Sequence, residues 1–269
     1  MKMILAKPRY WPLYLLFAAT IIVPNSTYAQ TKPANDNSPQ HIIQSDSLRQ
    51  PSPKANTPAL AADLLDAPTA ADDSLYYANM LQGITIMDKA MDVGQLAQAA
   101  LFFEDTYDQY PLRWLPSYYA AYCYGLMAFL EKNPVLKDNY LDNAQHWLDR
   151  ANQLNPNNIE IIVVQALIYQ ERVQVNPAER MPEYGTLSII TLENAEQLDP
   201  NNPRIYYLRA QNMFLTPEMA GGGLQKACPL IEIAAQKYAA QQNDPNSIMP
   251  KWGRVMTDYM LQICNYGKK

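Results

Sequence analysis

The tetrad Asn155-Pro156-Asn157-Asn158 returns as Asp199-Pro200-Asn201-Asn202, 44 positions later. The residues before each tetrad repeat as well. Ala144, Leu148, Ala151 and Pro156 overlay Ser188, Leu192, Ala195 and Pro200. An internal period of this size marks stacked helical units. The reason is steric. Small residues let two helices approach closely, large apolar ones fill the space beside them, and proline stops the helix.

Working outward from the tetrads, the same frame fits two further segments. Ala99, Phe103, Thr106 and Pro111 precede them, and Ala227, Ile231 and Ala234 follow without a closing proline. Each segment is the second helix of a pair. The first helices hold their small position at Gly125, Ala166 and Ala210, with Met87 a poor match in the first. A ninth helix over residues 251–264 would close the stack, since a terminal repeat needs an altered outer face. The expected fold is all-α from about Ser74. Only residues 159–164 could pass for a strand.

These positions resemble the tetratricopeptide-repeat (TPR) superfamily over residues 75–239, although the signature first-helix Trp is absent. The resemblance implies a TPR-like α-solenoid of about four antiparallel helix pairs plus a C-terminal capping helix. A more local likeness lies in Thr216-Pro217-Glu218-Met219-Ala220-Gly221-Gly222-Gly223 with Lys226-Ala227, then Lys251-Trp252-Gly253 and Cys264. It resembles a group of exported Gram-negative TPR proteins without an assigned activity. In a TPR stack the first helices line the concave face. The frame then places Tyr119, Tyr122, Glu160, Val163, Arg204, Tyr207 and Gln211 on that face as candidate partner-binding residues. Tyrosine suits such a face, with an apolar body and a polar tip.

The repeats are longer than the standard 34 residues. Their small positions Ala99, Ala144, Ser188 and Ala227 are 45, 44 and 39 residues apart. The surplus falls between first and second helices, in 131–138, 174–184 and 216–223. Insertions at equivalent points of a solenoid emerge on one edge, which is a second candidate surface.

The first 29 residues read as a signal peptide. Lys2, Lys7 and Arg9 precede an apolar run over residues 13–23, and Thr27-Tyr28-Ala29 is a small-x-small cleavage site. The run is short for a membrane span. Residues 30–71 carry six prolines among Ser, Asn and Gln, the composition of a disordered tether. Residues 72–269 form the helical domain. The expected location is the periplasm or outside the cell, with no stable membrane insertion after cleavage. Loss of Lys2, Lys7 and Arg9 takes the 21 basic residues to 18 against 26 acidic ones, a net charge of −8. No Lys/Arg cluster survives to hold nucleic acid.

Cysteine is odd in number: Cys123, Cys228 and Cys264. Spacing does not fix connectivity. Docking of the capping helix on the fourth pair would bring Cys228 and Cys264 together, leaving Cys123 as a buried thiol. Gly221-Gly222-Gly223 beside Lys226 lacks the phosphate-loop spacing and reads as a close-packed turn. His41 falls in the tether and His146 on a polar helix face. No metal-ligand spacing or nucleophile motif occurs, so no enzyme activity and no cofactor is implied. The function expected is a non-catalytic interaction module for a protein or peptide. The alternatives are a glycan or small-ligand carrier and, more remotely, a hydrolase.

Overall fold

A computed structural model describes residues 70–241 and 244–266, with side chains from Asp73 onward. The signal segment, almost all of the tether and His41 lie outside the described residues. The architecture is all-helical, with no strand among the described residues. Among the described residues, nine long helices carry it: α1 Ala70–Lys89, α2 Val93–Gln109, α3 Trp114–Leu130, α4 Pro134–Leu154, α5 Ile159–Val175, α6 Thr186–Leu198, α7 Pro203–Leu215, α8 Leu224–Ala240 and α9 Arg254–Tyr266. They pack as successive pairs, α1/α2, α3/α4, α5/α6 and α7/α8, with α9 against α8. The first helices α1, α3, α5 and α7 also touch in series and form an inner layer.

The tetrads act as the sequence frame requires. Asn155 caps the end of α4 and Asn158 the start of α5, where its side chain accepts from the Glu160 N–H at 2.9 Å. Asp199 ends α6, and Asn202 starts α7 by accepting from the Arg204 N–H at 3.0 Å. Each tetrad is thus a C-cap and an N-cap separated by a proline turn, which satisfies a carbonyl acceptor of one helix end and an N–H donor of the next helix start. The same device opens α2 through Asp92 and α4 through Asn133.

All the frame positions of the second helices are buried: Ala99, Phe103 and Thr106, then Ala144, Leu148 and Ala151, then Ser188, Leu192 and Ala195, then Ala227, Ile231 and Ala234. Gly125 stands where α5 approaches α3. A methyl there would meet Leu167 Cδ2 at 2.9 Å. Residues 159–164 open α5 and are helical.

The surplus residues take three forms. Residues 131–133 and the first turns of the 21-residue α4 absorb the first insertion. The second is a short helical turn, Pro177–Arg180, followed by a π-turn, Met181–Gly185. The third is the 3-10 turn Glu218–Ala220 followed by the three glycines. Gly221 and Gly223 have φ of 87° and 96°, and a side chain on Gly222 would strike the Thr216 carbonyl. The glycine run is therefore a tight interhelix turn. Asp138 ties the first insertion to the second by accepting from Arg180 Nη1 and Nη2, both at 2.6 Å.

Two boundaries differ from expectation. The first helix begins at Ala70, inside the span assigned to the tether. The last begins at Arg254, because Gly253 at φ 94° breaks the chain direction after Trp252. Cys228 and Cys264 form a disulfide that staples α9 to α8, and Cys123 is a buried free thiol.

Candidate functional site: an aromatic groove and its occupant

The inner face is centred on α3. Its sequence from Trp114 to Leu130 contains no charged residue, and buried positions run around most of its circumference. A helix that is apolar all round must be covered on all sides. Helices α2 and α4 cover part of it, α5 another part, and the remaining face is covered by the segment between α8 and α9.

That segment, residues 248–253, lies across the inner layer without helical structure. The groove side chains hold it by its carbonyls. Tyr119 Oη donates to the Ile248 carbonyl at 2.9 Å, Arg204 Nη1 to that of Pro250 at 3.2 Å, and Tyr238 Oη to that of Trp252 at 2.8 Å. Ile248 and Pro250 are buried, as is the aromatic wall formed by Tyr118, Tyr119 and Tyr122.

Trp252 is the centre of the contact. Its indole stacks on Tyr122, with ring centroids 4.8 Å apart and planes 20° from parallel. Tyr207 meets it edge-on at 6.4 Å, and the Arg204 guanidinium lies 5.7 Å from the ring centre. The indole N–H donates to Tyr118 Oη at 2.7 Å. Each contact suits a flat aromatic group with one polar edge.

Beneath the indole sits a buried ion pair. Arg204 donates through Nε to Glu160 Oε2 at 2.7 Å and through Nη2 to Oε1, which also accepts from Asn202 Nδ2 at 2.7 Å. Arg204 is 4 % exposed and Glu160 7 %. Burial disfavours the guanidinium charge, but Glu160 more than offsets it and holds the Arg204 pKa above its usual value. Desolvation pushes the phenols of Tyr118, Tyr119, Tyr122 and Tyr238 upward, so all four stay protonated, and Tyr119 and Tyr238 act as donors to the segment. At the rim, packing around Asp88 raises its carboxyl pKa, and Lys251 of the bound segment works against that shift.

The structure brings five of the seven residues singled out from sequence together at the segment. Tyr119, Tyr122, Arg204 and Tyr207 converge on the segment, and Glu160 locks Arg204. Val163 is in the core between neighbouring helices, and Gln211 is buried one turn beyond Tyr207. One expectation is corrected: the face is not open to solvent. All seven side chains are buried, Tyr119, Tyr122, Arg204 and Tyr207 against the segment that the chain folds back over them. Sequence reasoning missed Tyr118, Tyr238, Ile248 and Trp252. The available signal was Trp252 between Pro250-Lys251 and Gly253, a large aromatic in a stretch that cannot be helical throughout.

A cavity of about 180 Å³ lies between α4, α5 and α6, lined by Leu148, Ile161, Gln165 and Thr191. It falls below the roughly 300–1,000 Å³ of ordinary ligand sites. Among the described residues, no group of three or more His, Cys, Asp or Glu could hold a metal ion. No helix among them is long and apolar enough to cross a membrane. His146 is exposed on α4, where Nε2 accepts from Arg150 Nε at 3.1 Å.

Neither a family model nor a curated protein matches the chain. Among solved structures, the HusA haemophore from Porphyromonas gingivalis is similar. It shares 30% identity at a TM-score of 0.62, and the match covers 72% of this chain and 94% of the haemophore.

Proposed function

We propose, since the chain belongs to the family of the HusA haemophore, that it is an exported, non-catalytic binding protein whose cargo is a planar amphipathic molecule of the haem class. The observation that carries this is the 30% identity over 94% of a haemophore. The inner face supports it chemically. Tyr118, Tyr119, Tyr122 and Tyr207 offer broad aromatic walls, and their hydroxyls offer polar contacts at the edge of a flat ring system. A phenol oxygen is also a known ligand of haem iron. Catalysis has no comparable support, because function must be argued from a site and no reacting constellation is present on this face.

Haemin titration of the mature chain, residues 30–269, tests the reading. Saturable binding at one site, with a shifted Soret band, is expected. No saturable change at tens of micromolar haemin would overturn it.

A second reading, a protein or peptide partner, is favoured by a different observation. The groove already holds residues 248–253 through backbone carbonyls, as it would hold an extended peptide. Capture from a periplasmic extract tests that reading, and a partner that survives Tyr122→Ala would remove it. Export itself rests on the signal sequence. Cleavage after Ala29 is checked by N-terminal sequencing of the mature protein, and a mass of the full 269 residues would count against it.

A further inference from the structure

We infer that residues 248–253 are a tethered competitor for the inner groove, so that a ligand entering it must first release Trp252. This rests on the reading of the groove as the binding face, and it adds the regulation of that face.

Three observations carry it. First, the walls and the occupant are built differently. Tyr118, Tyr119 and Tyr122 stand on α3, Glu160 on α5, Arg204 and Tyr207 on α7, and Tyr238 on α8. Every wall is fixed on a helix. The occupant is an irregular segment between helices, held by one side-chain hydrogen bond to each of three carbonyls and by the indole of Trp252. Its indole is only partly buried, unlike the walls around it.

Second, the polar centre of the groove is held by bonds that do not involve the occupant. Arg204 keeps its bonds to Glu160 through Nε and Nη2 when the Pro250 carbonyl leaves, and Asn202 still donates to the same carboxylate. The polar centre is therefore preorganised with or without the segment, and the carbonyl partners can be replaced by ligand oxygens or water.

Third, the segment cannot diffuse away. It enters from α8 and leaves into α9, and the Cys228–Cys264 disulfide joins those helices across a sequence separation of 36. A released loop stays at an effective concentration on the order of millimolar. It competes with any ligand, and apparent affinity falls by the fraction of molecules with an open groove.

The test compares wild type with two variants that free the groove by different routes. Trp252→Ala removes the indole. Gly253→Ala substitutes no wall residue, but its added Cβ would collide with Tyr238 Oη at a backbone φ of 94°. Both should bind haemin at least tenfold tighter than wild type. Haemin saturation of wild type should speed amide exchange across residues 244–253. Equal or weaker binding by both variants, or unchanged exchange in saturated wild type, would overturn the inference. If no form binds haemin, the haem reading fails, and the competitor is judged by a separate probe. A fluorescent peptide of residues 246–254 should then bind Trp252→Ala or Gly253→Ala and be excluded from wild type. Failure to bind either variant, each shown folded by dichroism, removes the competitor as well.

Discussion

The indole N–H of Trp252 donates to the hydroxyl of Tyr118 at 2.7 Å, across 134 residues of sequence. The bond joins the irregular segment before α9 to the N-terminal turns of α3. Two halves of the repeat array, α3 with α4 and α7 with α8, are thereby clamped over one aromatic cluster. Closing a contact this distant carries a loop-entropy cost that local helix contacts avoid. The cluster must recover that cost through burial and stacking.

Tyr122 should therefore act as a structural residue in the ligand-free protein. Tyr122→Ala removes a ring that is 7 % exposed and stacked on Trp252. A loss of about 3 kcal/mol is expected, in the range for large-to-small core changes. Tyr118→Phe should cost about 1 kcal/mol, since it leaves the indole N–H without its partner. Urea denaturation of both variants checks the order. A Tyr118→Phe loss equal to that of Tyr122→Ala would mean that the hydrogen bond, not the stack, anchors the segment.

The Glu160–Arg204 pair predicts non-additivity. Removing one partner strands a buried charge, at roughly 3–5 kcal/mol. Glu160→Leu and Arg204→Met should each fall in that range. The double substitution Glu160→Leu with Arg204→Met should cost clearly less than their sum, because no charge remains buried. A double-mutant cycle by thermal or chemical unfolding measures the coupling. Simple additivity would show that the two side chains act independently, against the geometry of their bonds.

Much of the fold was legible in the sequence. The spacing of Ala144, Leu148 and Ala151 before Asn155-Pro156-Asn157-Asn158 reports helix period, close approach and termination, all of them local properties. The same spacing placed Tyr119, Tyr122, Arg204 and Tyr207 on one face. What stayed hidden was the cover. Residues 248–253 have no period, and their partners lie up to 134 residues away, so nothing local in Ile248 or Trp252 says which surface they meet. The start of α9 was misplaced for the same reason. Lys251 and Trp252 fit a helix pattern as well as a loop, and the positive φ of Gly253 decides between them.

Acid stability should depend on Asp138. Hydrogen bonds from Arg180, followed by the charges of Arg180 and Arg172, hold its carboxyl below its ordinary pKa. The folded state therefore binds this proton less readily than the unfolded chain. The contribution is complete above the unfolded value of about 3.9 and is lost as pH falls through the depressed folded value. Asp138→Asn should leave Arg180 and Arg172 without their shared negative charge, and Arg180 Nη2 without its acceptor oxygen, at neutral pH. It should also flatten the acid arm of stability below about pH 4. Melting temperatures at pH 7, 5, 4 and 3 decide the matter. A parallel curve for the variant would show that the site does not contribute to acid sensitivity.

The thiol chemistry follows from position. Cys228 and Cys264 are joined, while Cys123 sits fully buried on α3, where desolvation pushes its thiol pKa upward. A neutral buried thiol is a poor nucleophile. Native protein should therefore react with no equivalent of a thiol reagent, denatured unreduced protein with one, and denatured reduced protein with three. Reduction should also act on function-bearing structure rather than on the whole stack. The bond ties α9 to α8, so its loss should loosen α9 and residues 244–253 first, at a cost of about 3 kcal/mol to their attachment. The Cys228→Ser, Cys264→Ser protein should show faster amide exchange in α9 and around Trp252, with α2 to α4 unchanged. Uniform loosening of all helices would mean that the disulfide stabilises the array as one cooperative unit.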